Sequence, residues 1–179
     1  PGTDPAGTVA IPPTTIANLV PEEPPPHGAA VGRIVIPAAG VDWVIVEGVT
    51  LDALAAGPGH MPGTALPGQP GNAVISGHRT THGAPFFHLD SLNPGNRITV
   101  ETLIGTHVYE VVEVRIVAPD AIWVTGDAAG AWLTLTTCNP LYRSIERLVV
   151  FARLIEGPNL AAIEAGLEGD PRPPQPPAG

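Results

Sequence analysis

Lysine is absent from these 179 residues; the eight basic residues are all arginine, set against 17 acids for a net charge of −9. With so few cations and no basic stripe, binding nucleic acid by neutralising phosphates is excluded. Cysteine occurs once, as Cys138, so no internal disulfide can form and the count leaves the redox compartment open. Long apolar runs are missing too. None reaches the ~18 residues of a membrane span, and no stretch has the layout of a signal peptide. The absence of lysine beside abundant Ala, Gly and Pro points to a high-GC genome.

Proline (23) and glycine (21) are plentiful but unevenly placed. Residues 1–28 and the closing GDPRPPQPPAG are Pro-rich and free of aromatics. Such segments bury too little apolar surface to offset chain ordering, which predicts an extended tether over 1–28 and a disordered tail in 158–179 behind a short helix. That leaves residues 29–157 for the folded domain, long enough for a core without disulfides or metals. Its 11 acids and seven arginines again describe no polyanion-binding surface.

Short β-type runs separated by turn chemistry fill this middle. Strands are expected at GRIVIP (32–37), VDWVIVEG (41–48), NAVISGH (72–78), RITVET (97–102), HVYEVVEVRIVA (107–118), DAIWVT (120–125), AWLTLTTC (131–138) and RLVVFARLI (147–155). Val108 and Glu110 alternate in face with Tyr109 and Val111, as in a barrel strand. Thr50 and Gly57 bracket a short helix, and GPGHMPGTALPGQPGN (57–72) reads as a long loop. A helical turn is expected in APFFHLDSL (84–92) and a terminal helix in NLAAIEAGL (159–167), with Leu160, Ile163 and Leu167 on one stripe. About eight such strands predict an all-β, closed or nearly closed barrel.

Cys138 ends a strand and precedes an Asn-Pro turn. An unpaired cysteine is commonly a small buried hydrophobe, yet this position also lets a thiol face a cleft. His78 closes another strand, and Cys and His on two strand ends are the minimum for a thiolate–imidazole pair. Arg147 heads the strand after Cys138. Its alternatives are pairing with Glu146 or Glu101, and its rival is Arg143, which sits in the turn. A guanidinium is always charged and presents rigid donors suited to an oxyanion. His60, His78, His82 and His88 invite a metal reading, but HRTTH lacks the glutamate of a zinc-protease helix and is flanked by glycines.

These residues resemble the sortases, cysteine transpeptidases of Gram-positive cell surfaces. IPAAGVDWVIVEG, GPGHMPGTALPGQPGNAVISGHRTTHGAPFFHLDSLNPGNRITV and WLTLTTCNPLYRSIERLVVFA look like successive family blocks, and GHRTT.GAPF is most similar to class E sortases. The resemblance implies an eight-stranded sortase-type β-barrel with short helices, flanked by Pro-rich tails. It implies His78, Cys138 and Arg147 as the catalytic triad, with Thr137 positioning the acyl group or its oxyanion. His82 stands where many relatives carry an aromatic residue and would bear on the choice of the second residue in the substrate motif. The implied reaction cuts an LAXTG/LPXTG-type sorting signal between Thr and Gly and passes the acyl group to a peptidoglycan-precursor amine, with neither metal nor organic cofactor. Implied partners are surface proteins bearing that signal, at the outer face of a Gram-positive membrane, held there by an N-terminal anchor that precedes the Pro-rich arm. Two readings from other classes are a secreted β-barrel scaffold with an inert thiol and an L,D-transpeptidase, whose Ser-x-Gly-Cys context TLTTC does not match.

Overall fold

The computed structural model describes residues 16–178, and period-two burial marks three of its strands. In β1 (Ala30–Ile36), Ile34 and Ile36 are fully buried while Arg33 is exposed. β5 (Arg97–Thr102) buries Ile98 and Val100 in the same way. β6 (Gly105–Val117) turns His107, Tyr109 and Val111 inward, then shifts register between Val111 and Glu113 and turns Val114 inward. Such a bulge bends a strand and lets a sheet close. The remaining strands are β2 (Val41–Glu47), β3 (Gly59–His60), β4 (Gly71–Ser76), β7 (Ala131–Asn139) and β8 (Glu146–Glu156).

They form a closed barrel in the order β1-β2-β3-β4-β7-β8-β6-β5. The β1–β5 pairing closes the ring, and the β2–β3 and β4–β7 pairs are parallel. Side chains such as Ile34, Ile75, Phe86, Leu133, Leu135 and Val150 fill the interior with no exposed surface. A second, smaller cluster lies outside the barrel, where Val124 covers Val149 and Phe151 of β8.

The strand count of eight stands, but one member is exchanged. DAIWVT is not a strand: residues Ile122–Thr125 form a 3-10 turn, with Trp123 stacked on Phe151 at 6.1 Å and Arg115 over the indole. Its apolar content reflects this packing, not a sheet period. The strand in its place, β3, lies inside the expected Gly/Pro loop. Gly59 is needed there because a Cβ would meet the Gly48 carbonyl at 2.1 Å. Helix α1 (Leu51–Ala56) starts as expected, with Thr50 Oγ1 accepting from the Ala53 N–H at 3.3 Å. The turn in 84–92 is a 3-10 helix at Leu89–Ser91, and α2 (Leu160–Ala165) packs Ile163 and Leu160 on the core.

Both flanks depart from the tether-and-tail expectation. The first part of the arm, residues 1–15, lies outside the described residues. From residue 16 onward the arm is laid on the barrel. The buried Asn159 amide brackets Val20, accepting from its N–H at 2.8 Å and donating to its carbonyl at 2.9 Å. Glu22 accepts from Thr102 Oγ1 at 2.9 Å, and the Gly28 N–H donates to the Glu47 carbonyl at 2.8 Å. At the other end Pro171 lies against Gly130 and Pro174 is buried beside the Ile122–Thr125 turn. Backbone bonds and proline stacking supply what low hydrophobicity does not. Among the described residues no helix is long and apolar enough to cross a membrane.

Candidate active site

Leu133 and Leu135 point into the core, so alternation sends Thr134, Thr136 and Cys138 to the outer face of β7. On β8, Leu148 and Val150 point inward and Arg147 outward. Cys138 pairs directly with Arg147 across the β7–β8 ladder, which puts thiol and guanidinium on one face at one end of the barrel. On the other side of β7, Ser76 of β4 pairs in parallel with Thr136, their hydroxyls 2.8 Å apart. Two residues further along, His78 follows the end of β4 and Cys138 lies near the end of β7.

The chain around His78 is fixed to the chain around Cys138 on both sides. The Gly77 N–H donates to the Thr136 carbonyl at 3.1 Å, and Thr137 Oγ1 donates to the Gly77 carbonyl at 2.8 Å. Arg79 Nη1 donates to the Cys138 carbonyl at 3.3 Å and to Asn139 Oδ1 at 2.7 Å. His78 is thus held level with Cys138, and both are half-buried. Partial burial lowers the His78 pKa below the ordinary imidazole value, and the neighbouring His82 lowers it further. The two rings stack with centroids 4.8 Å apart, and His82 takes a positive φ of 51°.

A half-exposed thiol, an imidazole inclined to its neutral form and a guanidinium, sixty residues of chain folded between the first two, form the kit for attack on a carbonyl. Residues 34–155 match the sortase domain family. The chain belongs to the sortase family.

Among its sortase relatives, Sortase SrtE1 of Streptomyces coelicolor is 34% identical over 103 residues, 52% of this chain and 29% of that protein. Sortase D of Bacillus subtilis is also 34% identical, over 117 residues, 65% of this chain and 58% of that protein. The chain therefore spans less than two thirds of either relative's length. Among solved structures, a Clostridium perfringens sortase D5 transpeptidase superposes with a TM-score of 0.68 at 35% identity, covering 73% of this chain and 81% of that one. Sortase E1 from Streptomyces coelicolor, with a tripeptide in its active site, gives 0.67 at 30% identity over 72% and 90%. The sortase is class E-like, with class D relatives at similar identity. Membership leaves no place for the L,D-transpeptidase reading.

Not every expected site residue shares the outer face that carries Cys138 and Arg147. Thr137 is 3% exposed and its one hydroxyl proton goes to Gly77, so its side chain fixes the loop before His78. Glu146 and Glu101 leave Arg147 alone: Glu146 accepts from Asn139 at 2.8 Å and Glu101 lies 3.7 Å from Arg33. Arg147 instead donates from Nη1 to the Ser144 and Glu146 carbonyls at 3.1 and 3.0 Å. That anchors the guanidinium, while among the described residues Nε and Nη2 have no partner. Arg143 is exposed in the β7–β8 turn, its backbone N–H bonded to the Pro140 carbonyl. The four histidines do not converge on one point: His78 and His82 stack, but His60 is buried against Glu47 and His88 meets the edge of Phe87. Among the described residues no three His, Cys, Asp or Glu side chains are grouped to hold an ion. Arg79, Asn139 and Asp90 had no expected part in the site. The only sequence signal was an arginine directly after the strand-terminal His78, in a run otherwise short of charge.

Proposed function

We propose that this sortase is a cysteine transpeptidase that cuts an LAXTG/LPXTG-type sorting signal between Thr and Gly. Neutral His78 takes the proton from Cys138 as sulfur attacks the Thr carbonyl. The tetrahedral oxyanion develops beside the Nε and Nη2 donors of Arg147. Collapse breaks the Thr–Gly bond, and imidazolium at position 78 gives its proton to the departing glycine amine. A cell-wall precursor amine then attacks the thioester, with His78 accepting its proton and Cys138 leaving as thiolate to be reprotonated. Partners in this reading are surface proteins carrying the signal and peptidoglycan-precursor amines, at the outer face of a Gram-positive membrane. In this reading His82, whose ring stacks on His78, bears on the choice of the residue before the X of the motif.

The observation that carries the reading is the Cys138–Arg147 cross-strand pair, with the chain at His78 tied beside Cys138 through Gly77 and Arg79. The test is a peptide panel varying the second motif residue, with the acyl-enzyme trapped and weighed. A mass increase equal to the acyl fragment on Cys138, absent in Cys138→Ala, is expected. Arg147→Ala should slow acylation at least ~100-fold, as loss of an oxyanion donor does. A thiol that no peptide acylates and that alkylates only in denaturant would point to the scaffold reading.

A further inference from the structure

Each of the three residues in the proposed reaction has an immediate sequence neighbour in a second cluster: Arg79 beside His78 just past β4, and Asn139 beside Cys138 and Glu146 beside Arg147 on the opposite face of β7 and β8. Those neighbours are bonded to one another. Arg79 Nη1 donates to Asn139 Oδ1 at 2.7 Å, and Asn139 Nδ2 donates to Glu146 Oε2 at 2.8 Å. Arg79 Nη2 contacts Asp90 at 2.8 Å, and its Nε donates to the Phe87 carbonyl at 3.4 Å, tying in the segment before β5. Arg79 Nη1 also holds the carbonyl of Cys138 itself. We propose that Arg79, with Asn139 and Glu146, is a positioning residue that sets the mutual geometry of His78, Cys138 and Arg147 from behind the sheet; this rests on the reading of the triad above.

Arg79 is 4% exposed. A guanidinium taken that far from water stays in place only where its N–H groups are met, and losing a partner leaves a buried charge uncompensated. Its planar fork fixes directions that a lysine ammonium cannot. On β7 and β8 backbone alternation does the transmission, so that pinning side chains at 139 and 146 on one face fixes where 138 and 147 point on the other, while Arg79 holds the adjacent His78 by its grip on the Cys138 carbonyl. Asp90 is half exposed, so its contact is partly screened and is the weakest link. Bonds of this kind behind a reactive group hold it to the tolerance that catalysis requires.

The experiment compares the parent with Arg79→Gln, Arg79→Lys and Asn139→Ala, keeping His82 and Arg147, the other titratable groups on the reactive face, in every variant. Two readouts are taken on protein shown to be folded by its melting temperature. One is acylation by the sorting-type peptide. The other is alkylation of Cys138 by iodoacetamide against pH, in which the inflection removed by His78→Ala reports thiol–imidazole coupling without any peptide. Arg79→Gln should lower the acylation kcat ~10- to 100-fold with KM changed less than ~3-fold, in the range where small misplacements are felt, and should lose the His78-dependent inflection. Arg79→Lys should recover only part of either. Should Arg79→Gln not fold, Asn139→Ala breaks the same chain at one link and should lower kcat ~5- to 10-fold. A folded variant that keeps the parent's inflection and kcat overturns the proposal. Failure of the parent to be acylated at all would overturn the sorting reaction instead, while the inflection still judges the positioning role.

Discussion

His60 lies in β3 opposite Ile75 of β4, and His78 comes two residues after the end of β4. One turns into the barrel and the other out of it. His60 is 1% exposed, and both of its nitrogens are engaged: Nδ1 with Glu47 Oε2 at 2.7 Å and Nε2 with the Ala65 carbonyl at 2.8 Å. His78 is half-buried, and among the described residues neither of its ring nitrogens has a hydrogen-bond partner. Its backbone neighbours are bonded while its ring is left open. A histidine saturated in this way staples loops together; one that is held by its backbone and unsatisfied at its ring is available for proton transfer.

Substitution can separate the two roles. His78→Ala should cost about 10³-fold in peptide acylation and leave the melting temperature almost unchanged; a comparable loss of stability would show the ring to be structural. His60→Ala should do the reverse. It leaves Glu47 buried without its partner, at a cost of about 3–5 kcal/mol, read as a fall in melting temperature on the order of 10 °C, while the folded fraction keeps acylating. A smaller effect comes from His82→Gln. Removing the second ring takes away the repulsion that helps depress His78, so the His78 pKa should rise and the acid limb of the acylation profile should move to higher pH. No movement would mean that burial alone sets it. The slightest effect is expected at His107, whose pKa burial also lowers. Because the folded chain binds that proton less readily than the unfolded one, stability should fall as pH drops through the ordinary imidazole range, and His107→Gln should flatten that slope in acid denaturation.

The strands were legible in two ways: RITVET, which coincides with β5, carries the period of a sheet with one buried face, whereas AWLTLTTC, which falls within β7, is buried on both faces and shows as an apolar and threonine run. Where burial comes from elsewhere the signal misleads. DAIWVT is apolar because Trp123 covers Phe151, and a two-residue strand such as β3 has no period to show. In the candidate site, Cys138, His78 and Arg147 stood out as strand-end residues with reactive chemistry. Arg79 and Asn139 did not, because a buried polar chain declares itself only when its partners are seen to meet. The docked part of the arm escaped for the same reason. Val20 is fixed by the side chain of Asn159, 139 residues away, and nothing in the local composition of either segment announces it.

The parallel pairing of β4 with β7 has a consequence for the life history of the thiol. Between these neighbours the chain must complete β5 and β6, and Arg147 arrives only with β8, which pairs with both β6 and β7. Such non-local closure is slow and comes late in folding. Until β8 is in place the Cys138 sulfhydryl lacks its cross-strand neighbour Arg147, so the proposed site is assembled by the last strand to pair and not by synthesis of the thiol.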